Sequence, residues 1–129
     1  MVPVGPVIAR VRVALERAEV WKLVATEEGR ESWLPGFTFG EGLGSDVQFQ
    51  DGERVLDGTI DVWVEGHVLG WKWARTDEAK HTAPLITLRS TEQGTAVTVT
   101  ETGFDVLGAG ASQAKAAQTE WDAALERLV

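Results

Sequence analysis

What constrains this chain most is a long run of alternating apolar positions closed by one amphipathic helix. From residue 37 to about 102 the apolar residues recur at every second position, the period of a strand with one buried face. Val47 and Phe49 share a side of "DVQFQDGERV", where "DG" marks a turn; Ile60, Val62 and Val64 share a side of "LDGTIDVWV". Leu69, Trp71 and Trp73 align in "VLGWKWA", and Val97 and Val99 align in "TAVTVTETGF", which pairs with "PLITLRS" across "TEQG". The period then changes. In "GAGASQAKAAQTEWDAALERLV", Ala114, Ala117, Trp121, Leu125 and Leu128 follow steps of three and four, which predicts a helix over about 109 to 128. A sheet with one apolar face must cover it, and this helix is the only long amphipathic cover in the sequence. The predicted fold is therefore α+β, with a curved antiparallel sheet wrapped around a long C-terminal helix.

The first third of the chain supplies one more strand and a broken helix. "VIARVRVAL", residues 7–15, sets Val7, Ala9, Val11 and Val13 against Arg10 and Arg12. "ERAEVWKLVAT" switches to helical spacing through Ala18, Trp21, Val24 and Ala25. Gly29 ends or bends that helix and Pro35 bars its continuation. "TDEAKHTA" reads as a loop, and "GLG" at 42–44 as a turn between strands. No repeat or linker divides the pattern, so residues 1–129 are expected to form a single domain.

Charge and composition exclude several classes of function. The formal charge is -8, from 12 basic and 20 acidic residues, with no basic stripe, so neither nucleic acid nor an anionic membrane surface is expected as a partner. With no cysteine, there is no disulfide framework, thiol nucleophile or cysteine–metal site. No apolar run approaches membrane-spanning length, and "MVPVGPVIARVRV" lacks the pattern of a secretory signal, which fits a cytoplasmic protein. His67 and His81, the only histidines, lie in no metal-ligand pattern and read as surface residues; no metal or cofactor is expected. No serine sits in a GxSxG elbow. Asp57, Asp61, Glu65 and Glu101 lie on or near strands and are expected on the solvent face, so no acid–base pair is apparent and catalysis is not favoured.

Four pieces together resemble a known family: "RVRVALERAEVWKLVATEEGRESWLP" at 10–35, "GTIDVWVEGHVLGWKW" at 58–73, "TAVTVTETGF" at 95–104 and "TEWDAALERL" at 119–128. The chain resembles the activator of Hsp90 ATPase homologue-like proteins, within the START and birch-pollen-allergen-like (SRPBCC) superfamily. The resemblance implies a helix-grip fold, with two short helices after the first strand and often a cavity between sheet and terminal helix. It also implies binding of a small hydrophobic or amphipathic molecule in that cavity. The alternatives are a protein-interaction module, chaperone- or stress-linked by family analogy, and a cyclase- or hydrolase-like enzyme using the same cavity. The chain is expected to be a monomer or homodimer.

Six tryptophans in 129 residues supply wall material for such a cavity. The candidates are Trp33 at an entrance, Leu69, Trp71, Trp73, Val97 and Val99 on the sheet, and Ala114, Ala117 and Trp121 on the helix. Packing directly against the helix is the competing reading for Trp71 and Trp73, as core packing is for Trp121. Arg89 joins the candidates if Leu85 and Thr87 point inward; if Ile86 and Leu88 do, it is exposed. Small residues from Gly108 to Ala117 either pack tightly against the large rings or leave a gap. Trp63 lies opposite Ile60, Val62 and Val64, and strict alternation would turn Asp61 and Glu65 inward with it.

Overall fold

The computed structural model describes residues 4–40, 42–75, 80–107 and 109–129. Gly108, residues 76–79 of the predicted loop and residues 1–3 lie outside the described residues. The elements run β1 (Val7–Val13), α1 (Arg17–Ala25), α2 (Glu27–Glu31), β2 (Phe37–Phe39), β3 (Asp46–Asp51), β4 (Arg54–Val64), β5 (Val68–Arg75), β6 (Ala83–Thr91), β7 (Gly94–Thr102), a short 3-10 helix (Phe104–Val106) and α3 (Gly110–Leu128). The strands form one antiparallel sheet in the order β1-β7-β6-β5-β4-β3-β2. This is the predicted α+β helix-grip architecture, including the two short helices after β1.

Register explains which side chains reach the core. Phe37 pairs with Phe49, Phe49 with Leu56, Gly58 with Trp73 and Ile60 with Trp71. Val97 pairs with Val11 and Leu88, and Val99 with Ala9 and Ile86, so all of these share the inner face. Trp33, Leu69, Trp71, Ile86, Val97 and Val99 are almost fully buried. A Cβ on Gly58 would fall 1.7 Å from the Lys72 carbonyl oxygen, so only glycine lets the β4 and β5 backbones approach there.

The ladder between β4 and β5 slips by one residue between Ile60 and Val62, leaving Asp61 unpaired in a bulge. Ile60 still pairs with Trp71, and Trp63 pairs with Leu69, so Ile60 and Trp63 both face inward. Strict alternation would have kept them on opposite faces. The bulge removes the conflict posed by the sequence, because Asp61 stays exposed while Trp63 turns in.

The helices cover the inner face unequally. In the C-terminal half of α3, Trp121, Ala124, Leu125 and Leu128 are buried against the sheet. Its N-terminal half carries Gly110, Ala111, Ala114, Ala116 and Ala117, and fills far less space. The backbone alone caps this end: Ala109 is the N-cap residue without a side-chain bond, and the Gln113 amide donates to the Ala109 carbonyl at 3.0 Å. Gln118 Nε2 donates to the Ile8 carbonyl at 2.9 Å, tying the helix to the outer strand β1.

On the opposite flank, α2 buries Arg30, whose guanidinium lies 3.4 Å from the centre of the Phe39 ring and donates to the Val24 carbonyl. Burial pulls this group down to about 10, opposed by nearby Glu27, and leaves it charged at neutral pH. Trp33 Nε1 donates to the Leu23 carbonyl at 2.8 Å and fastens the same flank to α1.

Candidate functional site

A cavity of about 610 Å³ lies between the sheet and α3, lined on the helix side from Ser112 to Arg127. Phe49, Leu56 and Trp73 come from the sheet, Phe104 and Leu107 from the 3-10 segment, and Ala116, Ala117 and Trp121 from the helix. Its position follows from residue size. Ala124, Leu125 and Leu128 close one face of α3 onto the sheet, while the small side chains of Ala116, Ala117 and Ala123 leave room on the face that lines the cavity. Lys80, Glu120 and Arg127, all exposed, stand at its rim.

At the wall is a carboxylate that is 3% exposed. Glu101 sits on β7 in phase with Val97 and Val99, so the strand period carries it to the inner face. Its Oε2 accepts from Trp73 Nε1 at 3.0 Å and Thr82 Oγ1 at 2.5 Å, and its Oε1 accepts from Trp121 Nε1 at 2.8 Å. Strand, connecting segment and helix thus converge on one side chain. The pairing of β5 with β6 lapses between Gly70–Leu85 and the isolated Trp73–Thr82 bridge. Pro84, which has no amide hydrogen to contribute, pairs with Glu101 beside that lapse.

The expectation of Glu101 on the solvent face is therefore wrong, and the sequence holds the signal against it. Val97 and Val99 belong to the inner face by their alternation, and Glu101 continues their period without interruption. A specific alternation outweighs the general habit of strand carboxylates. Indole and hydroxyl donors, rather than a cation, make the burial tolerable.

Of the wall candidates, Trp73, Ala117 and Trp121 line the cavity. Leu69, Trp71, Val97 and Val99 lie in the packed core, where Trp71 meets Phe37, Trp73 and Trp121 ring to ring. Ala114 packs against that core. Trp33 is fully buried, and its neighbours Leu34 and Pro35 line the cavity instead. Arg89 is exposed, because Ile86 and Leu88 take the inner face. His67 and His81 are exposed, and among the described residues no cluster of acidic and imidazole groups could hold a metal.

A sheet gripping a terminal helix beside a largely apolar cavity defines a helix-grip fold. The chain belongs to the family described as Activator of Hsp90 ATPase homolog 1-like protein, which it matches over residues 14–129. Solved structures share its fold. DynU16, a protein of the dynemicin biosynthetic locus, superposes with a TM-score of 0.84 at 20% identity, covering 98% of this chain but 46% of its own. This chain therefore spans less than half of DynU16. MLL2253 from Mesorhizobium loti gives a TM-score of 0.84 at 20% identity, with 95% and 93% of the two chains covered. The Aha1 dimer from Colwellia psychrerythraea gives 0.79 at 17% identity, with 99% and 93% covered. No curated protein matches the sequence. No helix among the described residues is long and apolar enough to cross a membrane.

Proposed function

We propose that the protein binds a small hydrophobic or amphipathic molecule, without transforming it, in the cavity between the sheet and α3. The observation that carries this reading is a space of about 610 Å³, walled by Phe49, Leu56, Trp73, Phe104, Leu107 and Trp121, with one buried carboxylate among the apolar groups. Ligand pockets are of this size and combine apolar walls with a few placed polar groups. The acceptor sites of Glu101 are largely taken by Trp73, Thr82 and Trp121, which suits a fixed anchor better than a group that must exchange protons. DynU16 belongs to a biosynthetic locus, a setting in which small molecules are made and handled, and this adds support. An outward Trp63 would have strengthened the interaction-module reading, and that residue faces inward. The dimeric neighbour from Colwellia psychrerythraea favours a homodimer of this chain over a monomer, which sedimentation at several concentrations checks.

The binding reading is tested by calorimetric titration with decanol. Saturable binding with a negative heat-capacity change is expected, since apolar burial on binding carries that signature. Ala117→Leu, which places a larger side chain in the wall, should weaken it about tenfold at unchanged thermal stability. Absence of saturable binding to the wild-type protein overturns the reading.

A further inference from the structure

We propose that the cavity's occupant carries a protonated amine, bound by Glu101 Oε1. This rests on the binding reading above and names the chemistry of the head group. Glu101 is 3% exposed, and among the described residues the groups that donate to its carboxylate are all neutral: the indoles of Trp73 and Trp121 and the hydroxyl of Thr82. These satisfy hydrogen bonding and leave the charge without a counterion. Buried carboxylates are ordinarily paired with a cation. Among the described residues Glu101 has no cationic partner; the ion pairs Lys22–Glu19 and Lys72–Asp61 lie elsewhere.

The open acceptor position is also defined. A carboxylate offers about four lone-pair sites. Oε2 already receives Trp73 and Thr82, whereas Oε1 receives Trp121 alone. Among the described residues one site on Oε1 is therefore left for a donor arriving through the cavity that Glu101 lines. An ammonium group supplies both the missing donor and the missing charge, and its bond to a carboxylate is about twice as strong as one between neutral partners.

The rim presents a rival chemistry. Arg127 and Lys80 line the cavity and would attract an anionic head group. Both are exposed, so water and salt screen their pull, and the Arg127 Nε already donates to the Trp33 carbonyl at 3.1 Å. Glu101 acts from a buried position, where charge interactions are stronger. The buried group therefore decides the ligand's sign.

Three probes with one chain and different heads test this: decylamine, decanol and decanoate, titrated into the full-length protein at fixed ionic strength. Decylamine is expected to bind about tenfold more tightly than decanol, the ratio corresponding to one charge-assisted bond, with decanoate weakest. Glu101→Gln should erase the preference of amine over alcohol. Thr82→Val frees a second acceptor site on Oε2 and should widen the preference. Equal binding of amine and alcohol to the wild-type protein, or tighter binding of decanoate, overturns the inference while the cavity reading stands. If none of the three binds, the cavity reading itself has failed. An amine preference that survives in folded Glu101→Gln also overturns the assignment. Should that variant not fold, the head-group ranking on the wild-type protein still decides.

Discussion

Two glutamates in this molecule each accept hydrogen bonds from two tryptophans, at opposite positions in the fold and with different consequences. Glu101 takes Trp73 and Trp121 at the cavity wall. Glu65 takes Trp21 Nε1 on Oε1 at 3.0 Å and Trp63 Nε1 on Oε2 at 2.9 Å, just past the end of β4. The two indoles over Glu65 meet edge to face at 5.5 Å, joining α1 to the sheet. Those over Glu101 stack at 24°, with centres 6.4 Å apart. Glu65 is exposed, so water can replace either indole; Glu101 is buried, and nothing replaces its partners. The same carboxylate–indole pair therefore serves as a surface clasp in one place and as a buried polar anchor in the other. Dielectric surroundings, rather than the partners, set the difference.

The most damaging change expected at the anchor is to move Glu101 by one position. Deleting Thr100 from β7 shifts every following side chain to the opposite face. Glu101 would turn to the outer surface, and Trp73, Thr82 and Trp121 would lose their common acceptor. We expect loss of cooperative unfolding, or a destabilisation of roughly 4 kcal/mol or more, read from urea titration followed by tryptophan emission. A folded deletion variant near wild-type stability would mean that Glu101 holds nothing together.

Side-chain removal is the milder version. Glu101→Leu leaves two indoles and a hydroxyl without an acceptor in a buried site, at about 1 kcal/mol or more for each orphaned donor, or about 3 kcal/mol in all. Glu65→Leu leaves the Trp63 indole to water and only the part-buried Trp21 donor without its partner, so a loss of about 1 kcal/mol is expected. Paired denaturation curves check both, and equal losses would erase the distinction between clasp and anchor.

Much of this arrangement is readable in the sequence, and the unread parts have definite physical reasons. The alternation from Val47 to Val99 marks the sheet and its inner face, and the spacing from Ala114 to Leu128 marks its cover. The small residues along the helix leave open whether it packs tightly or leaves a gap, and the structure has both: Ala114 packs on the core while Ala117 lines the cavity. Glu101 is also within reach, because Val97 and Val99 fix its face. Leu69, Trp71, Val97 and Val99 do point inward, but an inward residue lines a cavity only where the cover is thin, and pattern alone does not reveal the cover. Trp63 is out of reach: its direction depends on the slip at Asp61, and an unpaired residue in a strand leaves no periodic trace.

That slip supplies the smallest effect and a sharp contrast with Thr100. In the observed register Ile60 opposes Trp71, Val62 opposes Gly70 and Trp63 opposes Leu69. Removing Asp61 joins Ile60 directly to Val62 and converts the bulge into an unbroken ladder, with every facing residue kept. Trp63 stays inward, and Glu65 stays within reach of both its indoles. The deletion breaks the exposed ion pair between Asp61 and Lys72 at 3.9 Å, a class of interaction worth little. Bulges also add local twist, and relaxing it has some cost. Deleting Asp61 should therefore change stability by about 1 kcal/mol or less and preserve the emission of the Trp21–Trp63 pair. Two one-residue deletions in strands of the same sheet would then differ by several kcal/mol, because one removes an unpaired residue and the other reverses a face. If the Asp61 deletion proves as damaging as the Thr100 deletion, then the bulge itself, and not the register on either side of it, holds the clasp end of the sheet in shape.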